Sequence, residues 1–323
     1  MENNSTPFKP AISLTVIGGY LGAGKTTLLN QLLHSAQEQH LAVLVNDFGE
    51  ISIDSVLIEH RSIDTIALSN GCICCSIAGD LAMTLFKLRE LAVPPHRVII
   101  EASGVSDPHK IAQYGHLPGF HLDSIVVVVD AETILDQVKD SFIGETVVRQ
   151  LLHADVLILN KVDLISNVHR LNVNKWLREL DPGSRIVEVT YGNVPWPLLL
   201  GDDVLRSHQN NFTDDYSQDH QHGQMYETWS YTSSSPLDGD KFRAVIANLS
   251  KSILRAKGII FLREDISYRF VFQLVGKRWS IKRDHIWSDK DRPCTQIVFI
   301  GSPDSFDSSQ LERMLDNCSS TTE

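Results

Sequence analysis

A chain of 323 residues with 42% apolar and 21% charged side chains has the composition of a folded globular protein, long enough to bury a core without disulfide or metal staples. Its 29 basic against 40 acidic residues leave a formal charge of −11. That excludes a protein held on nucleic acid or anionic lipid by a generally basic surface. No apolar stretch near the N-terminus approaches the ~20 residues of a spanning helix. The first ten residues lack the charged start and apolar run of a secretory signal. A cytoplasmic protein without membrane contact is therefore expected, in which the five cysteines are metal ligands or reactive thiols rather than disulfides.

Residues 1–10 read as a disordered leader. From 11 to 198, short apolar runs alternate with helical patterns. Strands are predicted at Ser13–Ile17, Ala42–Val45, Arg97–Glu101, Ser124–Asp130, Val156–Leu159 and Arg185–Val189. Helices are predicted at Thr26–Glu38, Gly79–Leu91, Glu132–Lys139, Glu145–His153 and Val168–Leu180. Several strands are Val/Ile runs without polar alternation, as when both sheet faces are covered. This order implies an α/β fold, a doubly wound and mostly parallel sheet. Residues 199–224 hold five aspartates against one arginine and read as an acidic linker. Residues 225–323 have the texture of a smaller α+β domain with an antiparallel sheet. Its strands are expected at Thr228–Ser233, Gly258–Arg263, Ser267–Val275, Trp279–Lys282 and Gln296–Ile300, and its helices at Asp240–Leu254 and Ser308–Asn317.

The first strand leads into Gly18-Gly19-Tyr20-Leu21-Gly22-Ala23-Gly24-Lys25-Thr26-Thr27, which fits G-x-x-x-x-G-K-[ST] from Gly19. Glycines let a loop curl so that successive amides, from Gly19 through Gly22, Ala23 and Gly24 to Thr27, face phosphate oxygens, and the helix that follows adds its positive end. In that geometry Lys25 meets the β- and γ-phosphates and the Thr26 hydroxyl meets Mg²⁺. The segment therefore reads as a phosphate loop, and a P-loop NTPase fold is expected, with a plain glycine turn as the alternative. After the strand ending at Leu159 comes Asn160-Lys161-Val162-Asp163, the N-K-x-D form of a guanine reader. An aspartate such as Asp163 accepts the N1–H and N2–H₂ pair that guanine offers and adenine does not. Glu101, ending another strand, can hold Mg²⁺ or orient the attacking water, and Gly104 can bring an amide to the γ-phosphate. Asp47, in Asn46-Asp47-Phe48-Gly49-Glu50, is a further Mg²⁺ candidate, with turn capping as its alternative.

Cys72-Ile73-Cys74-Cys75 puts three sulfurs in four residues. Thiolates of this kind take Zn²⁺, Co²⁺ or Cu⁺. A fourth ligand is open among Glu50, water, a histidine and a partner chain. Buried packing cysteines and a redox pair are the rival readings. Cys294 and Cys318 are isolated and read as packing or surface residues. His220 and His222 read as part of the solvated linker.

The order GGYLGAGKTT, NDFGE, NGCICC, EASGVSDP, NKVD resembles the CobW-like GTPases, relatives of UreG and HypB, over nearly the whole chain. Arg255-Ala256-Lys257-Gly258 and Thr295 to Gly301 resemble the CobW C-terminal domain. The resemblance implies a GTPase that handles a transition metal, most often zinc, and delivers it to client metalloproteins; GTP and Mg²⁺ are its expected cofactors. No arginine finger is evident in the motifs, so slow intrinsic turnover is expected. By that resemblance Gly22, Gly24, Lys25, Thr26 and Thr27 match the phosphate loop, Asp47 through Glu50 the first switch, Cys72, Cys74 and Cys75 the metal motif, Glu101 and Gly104 the second switch, and Asn160, Lys161 and Asp163 the base reader. Taken with the residue chemistry, Lys25, Asp47, Glu101 and Gly104 are the catalytic candidates, Gly19 and Ala23 add phosphate contacts, and Glu50 is a candidate fourth metal ligand. The resemblance also suggests a nucleotide- or metal-dependent homodimer. Many relatives carry a long histidine-rich tract before the C-terminal domain, and here only His220 and His222 stand there. Three rival functions remain: a P-loop small-molecule kinase, a metal-storage or sensor protein that binds GTP with little turnover, and an activator of a cobalt or iron enzyme.

Charge is unevenly divided. Residues 1–198 hold 14 basic and 22 acidic side chains, 199–224 hold one and five, and 225–323 hold 14 and 13. The acidity belongs to the first domain and its tether.

Overall fold

The computed structural model describes residues 10–35, 41–46, 64–68, 78–200, 226–288, 291–302 and 307–319. The chain divides into two compact units, one of Met1–Asp181 with Glu188–Asn193 and one of Pro182–Val187 with Val194–Glu323.

The first sheet has seven strands, of which the first six lie in the first unit: β1 Ile12–Gly18, β2 Leu41–Asn46, β3 Asp64–Leu68, β4 Arg97–Glu101, β5 Phe120–Asp130, β6 Val156–Asn160 and β7 Ile186–Glu188. Their order across the sheet is β3-β2-β4-β1-β5-β6-β7. β1 pairs in parallel with β4 and β5, β2 with β3 and β4, and β5 with β6. β1, β4 and β6 are buried along their whole length, which explains their unalternated apolar runs. Parallel pairing puts the C-terminal ends of these strands on one edge, with Gly18, Glu101, Asp130 and Asn160 leading into the loops there.

Helices connect the strands. α1 (Lys25–Ser35) buries Leu28, Leu29, Leu32 and Leu33 on one stripe. α2 (Ala78–Glu90) buries Leu81, Leu85 and Leu88. α3 (Pro108–Ala112), α4 (Ile134–Gln137), α5 (Gly144–Leu152) and α6 (Asn167–Leu180) follow. Sequence reading misses β3, the short α3, the 3-10 turn Gln113–His116 that follows it and the start of β5 at Phe120. α3 has a local cause, because Asp107 accepts the His109 amide at 2.9 Å as N-cap and Pro108 opens the first turn. The helix expected at Glu132–Lys139 shrinks to one turn, Ile134–Gln137.

One buried ion pair crosses this sheet. The register of β1 on β5 steps from Leu14↔Leu122 to Thr15↔Ser124, so Asp123 is the extra residue of a bulge. Its carboxylate accepts from Arg97 at 2.8 Å, and the same guanidinium nitrogen donates to the Thr15 hydroxyl at 2.8 Å. Arg97 is 2% exposed.

The second unit contains α7 (Trp196–Leu200) and a five-stranded antiparallel sheet in the order β11-β10-β9-β12-β8. Its strands are β8 Glu227–Ser233, β9 Ile253–Phe261, β10 Tyr268–Val275, β11 Arg278–Ile286 and β12 Thr295–Gly301. α8 (Gly239–Ala247) and α9 (Ser308–Ser319) share one core with the sheet, through Phe242 and Ile246, Leu311 and Leu315, and Ile260, Phe272, Ile297 and Phe299. Phe242 meets Phe272 edge-on at 5.3 Å. Gly258 is required at the β9–β12 contact, where a Cβ would lie 2.1 Å from the Gln296 carbonyl oxygen. The helix expected at Asp240–Leu254 ends at Ala247, and Ile253 and Leu254 open β9 instead. Between them the Ser250 hydroxyl takes the Ser252 amide, so local turn bonding outcompetes the helical ladder that the apolar spacing suggested.

Two outcomes follow. Arg97→Met leaves the Asp123 carboxylate buried without its arginine and should destabilise the first unit by about 3–5 kcal/mol, read as a lower urea midpoint, with part of the loss recovered in the double variant carrying Asp123→Asn. In the second unit, burial, with the hydrogen bond to Asp316, pushes the Tyr231 hydroxyl up to about 12. A folded value above the free value of ~10 makes this contribution complete below about pH 10 and lost as pH rises through 12. Tyr231→Phe should flatten that part of the alkaline unfolding curve.

Candidate nucleotide-binding site

The loop between β1 and α1 owes its shape to three glycines with positive φ: Gly19 at 132°, Gly22 at 76° and Gly24 at 100°. At Gly19 a Cβ would lie 2.3 Å from the Val128 carbonyl oxygen, and at Gly24 it would lie 2.4 Å from the Asn160 amide nitrogen. At Gly22 a Cβ would meet nothing within 4 Å. The loop is thus pressed against β5 and Asn160 on one side and open at Gly22. Lys25, 9% exposed, curls back to donate to the Tyr20 carbonyl at 3.4 Å. The Thr26 hydroxyl donates to the Glu101 carboxylate at 2.9 Å. Glu101 is 2% exposed at the end of β4. These two oxygens, a neutral hydroxyl and a buried carboxylate, form a hard-oxygen pair of the kind that suits Mg²⁺. Thr27 is exposed on α1.

Asn160 joins three segments. Its amide nitrogen donates to the Ala23 carbonyl at 3.0 Å, and its oxygen accepts from the Gly192 amide at 3.0 Å. Both ends of the side chain are spent within the protein. Lys161 takes a left-handed backbone, φ 64°, and its ammonium pairs with Asp130 at 2.7 Å. Asp163 stands exposed in the short turn Val162–Leu164 that follows. Gly104 is packed against Leu21, where a Cβ would lie 2.5 Å from a leucine methyl. The carbonyls of Gly104 and Ser106 both accept from the buried Gln150 amide, at 3.1 and 2.8 Å.

Family models match the chain twice. Residues 13–188 match the nucleotide-binding domain of CobW/HypB/UreG, more than half of the chain. The chain belongs to the CobW/HypB/UreG family. Residues 226–319 match the cobalamin synthesis protein cobW C-terminal domain. Among its relatives are the zinc chaperone YjiA of Escherichia coli, 29% identical over 90% of this chain and 94% of that protein, and the zinc chaperone CobW of Sinorhizobium sp, 29% identical over 91% and 93%. The zinc-regulated GTPase metalloprotein activator 1 of Dictyostelium discoideum is 26% identical over 95% of this chain and 79% of that one. The solved Zn(II)-bound YjiA GTPase from E. coli aligns at a TM-score of 0.43, with 23% identity, covering 95% of this chain and 99% of that one.

Within this CobW-family chain the structure brings Thr26 to Glu101, Ala23 to Asn160 and Gly104 to Leu21 of the phosphate loop. Asp47, Glu50, Cys72, Cys74, Cys75, His220 and His222 lie outside the described residues. Among the described residues no group of three or more His, Cys, Asp or Glu is placed to hold a metal ion. Cys318 is buried in the core of the second unit, where its thiol is pushed up to about 11 by burial, and burial also raises Cys294. Both are thiols held away from the reactive thiolate form. No helix among the described residues is long and apolar enough to cross a membrane.

Sequence reasoning passed over three contributors. Asp130 had a signal, as a carboxylate ending an apolar parallel strand beside the one that ends at Asn160. Gly192 had a weaker one, a Tyr-Gly turn after an expected strand. Nothing local marks Gln150, whose role arises only where α5 meets the Gly104 segment.

Asn160→Ala removes the partner of two buried backbone groups, at about 1–3 kcal/mol each. Affinity for a fluorescent guanine nucleotide should fall by about 10- to 100-fold, measured by equilibrium titration.

Proposed function

We propose that this chain is a zinc metallochaperone GTPase, which binds and slowly hydrolyses GTP and hands zinc to client metalloproteins. The observation that carries this reading is the joined constellation of glycine loop, Thr26–Glu101 contact and Asn160–Lys161 anchor in a CobW-family chain. The zinc half of it is supported by the names of its relatives and by the three clustered cysteines of the sequence. Residues 11–198 serve as the GTPase domain, 199–224 as an acidic tether and 225–323 as the client-facing domain.

In this reading the amides from Gly19 to Thr27 cradle the phosphates and Lys25 neutralises them. Thr26 and Glu101 hold Mg²⁺, with Asp47 as a further ligand. When bound, that ion supplies divalent charge to the phosphate oxygens. The Gly104 amide faces the γ-phosphate, and its segment is steadied by Gln150. Asp163 takes the guanine edge, while Asn160 holds the loop and the Gly192 turn in register around it. Cys72, Cys74 and Cys75, with Glu50, carry zinc as cargo. Three thiolates close together repel, so a cation makes their ionised forms tolerable, and GTP, by ordering the Asp47 and Glu101 segments, alters how tightly it is held. Cobalt fits the same ligands. The protein works in the cytoplasm, without nucleic-acid or membrane contact, and pairs with a second copy in a nucleotide- or metal-dependent way.

The test is a zinc titration against a chromophoric chelator, with a non-hydrolysable GTP analogue and with GDP, on wild type and Cys74→Ala. Wild type should bind about one zinc per chain, with affinity differing at least about fivefold between the nucleotides. Cys74→Ala should lose about 10- to 100-fold in zinc affinity while keeping its nucleotide affinity. Zinc binding indifferent to nucleotide would sink the coupling, several zinc ions per chain without transfer to an apo acceptor would favour storage, and competition by ATP as effective as by GTP would sink the guanine assignment.

A further inference from the structure

The sheet of the second unit ends on β11, which pairs with β10 and has no strand beyond it among the described residues. It runs nine residues, Arg278–Ile286, and every side chain from Lys282 to Ile286 is exposed. An open edge of that length is a template for another strand unless something guards it. β11 contains no proline, and its one irregularity lies opposite Tyr268–Phe270. What distinguishes it is charge. Lys277, Arg278, Lys282 and Arg283 stand against Asp284 alone within ten consecutive residues, in a chain whose net charge is −11. The opposite edge, β8, carries Glu227 and no cation.

Strand alternation distributes those cations on both faces. Ile281 packs on the core shared with α8 and α9, which puts Trp279 and Arg283 on that face and Arg278 and Lys282 on the other. The strand is also held in place before anything binds. Arg269 on β10 donates to Asp284 at 2.8 Å, and Arg283 lies over the Tyr268 ring at 3.7 Å and pairs with Asp265. Trp279, 37% exposed, offers an apolar surface beside them.

Such an edge discriminates between partners. A second copy of β11 would set cations against cations, which penalises self-association. An extended acidic segment would complete the hydrogen-bond ladder and meet positive charge on both faces. We infer that β11 is a docking edge for an extended acidic segment of a protein partner, bound by strand addition, with Arg278 and Lys282 contacting carboxylates on one face and Arg283 on the other. Capture at this edge needs neither nucleotide nor zinc, so its outcome is separable from that of the GTPase reading.

The probe is a fluorophore-labelled peptide of about ten residues, alternating Glu and Val, titrated with the full chain at low salt and followed by anisotropy. Saturable binding is expected, weakened at least about tenfold at about 0.5 M salt, together with slowed hydrogen exchange in β11. The Lys–Val counterpart should not bind, and N-methylation of alternate peptide amides should abolish binding in one of its two phases, because it removes the donors that face the edge. Lys282→Glu, a change at an exposed side chain that the fold tolerates, should weaken binding about tenfold, and Lys282→Arg should restore it. The proposal is overturned if the Glu–Val peptide does not bind, if both N-methylated forms bind as well as the parent, if Lys282→Glu has no effect, or if a single-stranded RNA of similar length binds more tightly than the peptide.

Discussion

The nucleotide end of the first unit depends on one buried amide. Asn160 donates to Ala23 in the phosphate loop and accepts from Gly192 beyond β6, and Gly24 sits so close to it that no Cβ would fit between them. A left-handed glycine loop has high conformational entropy when unsupported. Here it is pinned from one side by the Val128 backbone on β5 and from the other by the Asn160 side chain, so its shape is set before a phosphate arrives. Because Asn160 is also the first residue of the Asn160–Asp163 motif proposed to read the base, the glycine loop and that motif share a structural support.

Polar groups buried elsewhere serve a different purpose. Arg97, Thr15 and Asp123 lie within β4, β1 and β5 rather than at the C-terminal strand ends. A bulge that exposes nothing to a ligand was needed to aim Asp123 at the arginine. Glu101, Asp130 and Asn160 are comparably buried but stand where strands end and loops begin. Burial alone therefore does not mark function in this chain. The residues proposed to serve the nucleotide are those at strand termini, where a backbone turn opens a path from the covered sheet to solvent.

The second unit follows other rules. Its sheet is antiparallel, with helices α8 and α9 in its core, and its edges end on strands of unlike charge. Near neutrality in residues 225–323 conceals this arrangement, because basic and acidic side chains cancel in the sum while β11 itself carries Arg278, Lys282 and Arg283 against Asp284. Net charge describes solubility and long-range attraction, whereas an edge strand presents its own residues to whatever approaches.

The sequence by itself determined the strand–helix alternation, the parallel sheet, the glycine loop with Lys25 and Thr26, the carboxylate at Glu101 and the Asn160–Asp163 motif. All of these are encoded within a few consecutive residues, by apolar runs or by glycines at set spacing. It also carried the CxCC motif of Cys72–Cys75 as a metal expectation. The helix end at Ala247, where apolar spacing had extended it to Leu254, has a local cause as well, the turn bond from the Ser252 amide to the Ser250 hydroxyl. Tertiary structure alone decided that Thr26 meets Glu101, that Lys161 pairs with Asp130, that Gln150 supports Gly104 and that β11 rather than β10 or β9 lies at an edge. Each of these is a contest between local preference and a partner tens of residues away, and periodicity along one segment holds no information about which distant strand or side chain will win it.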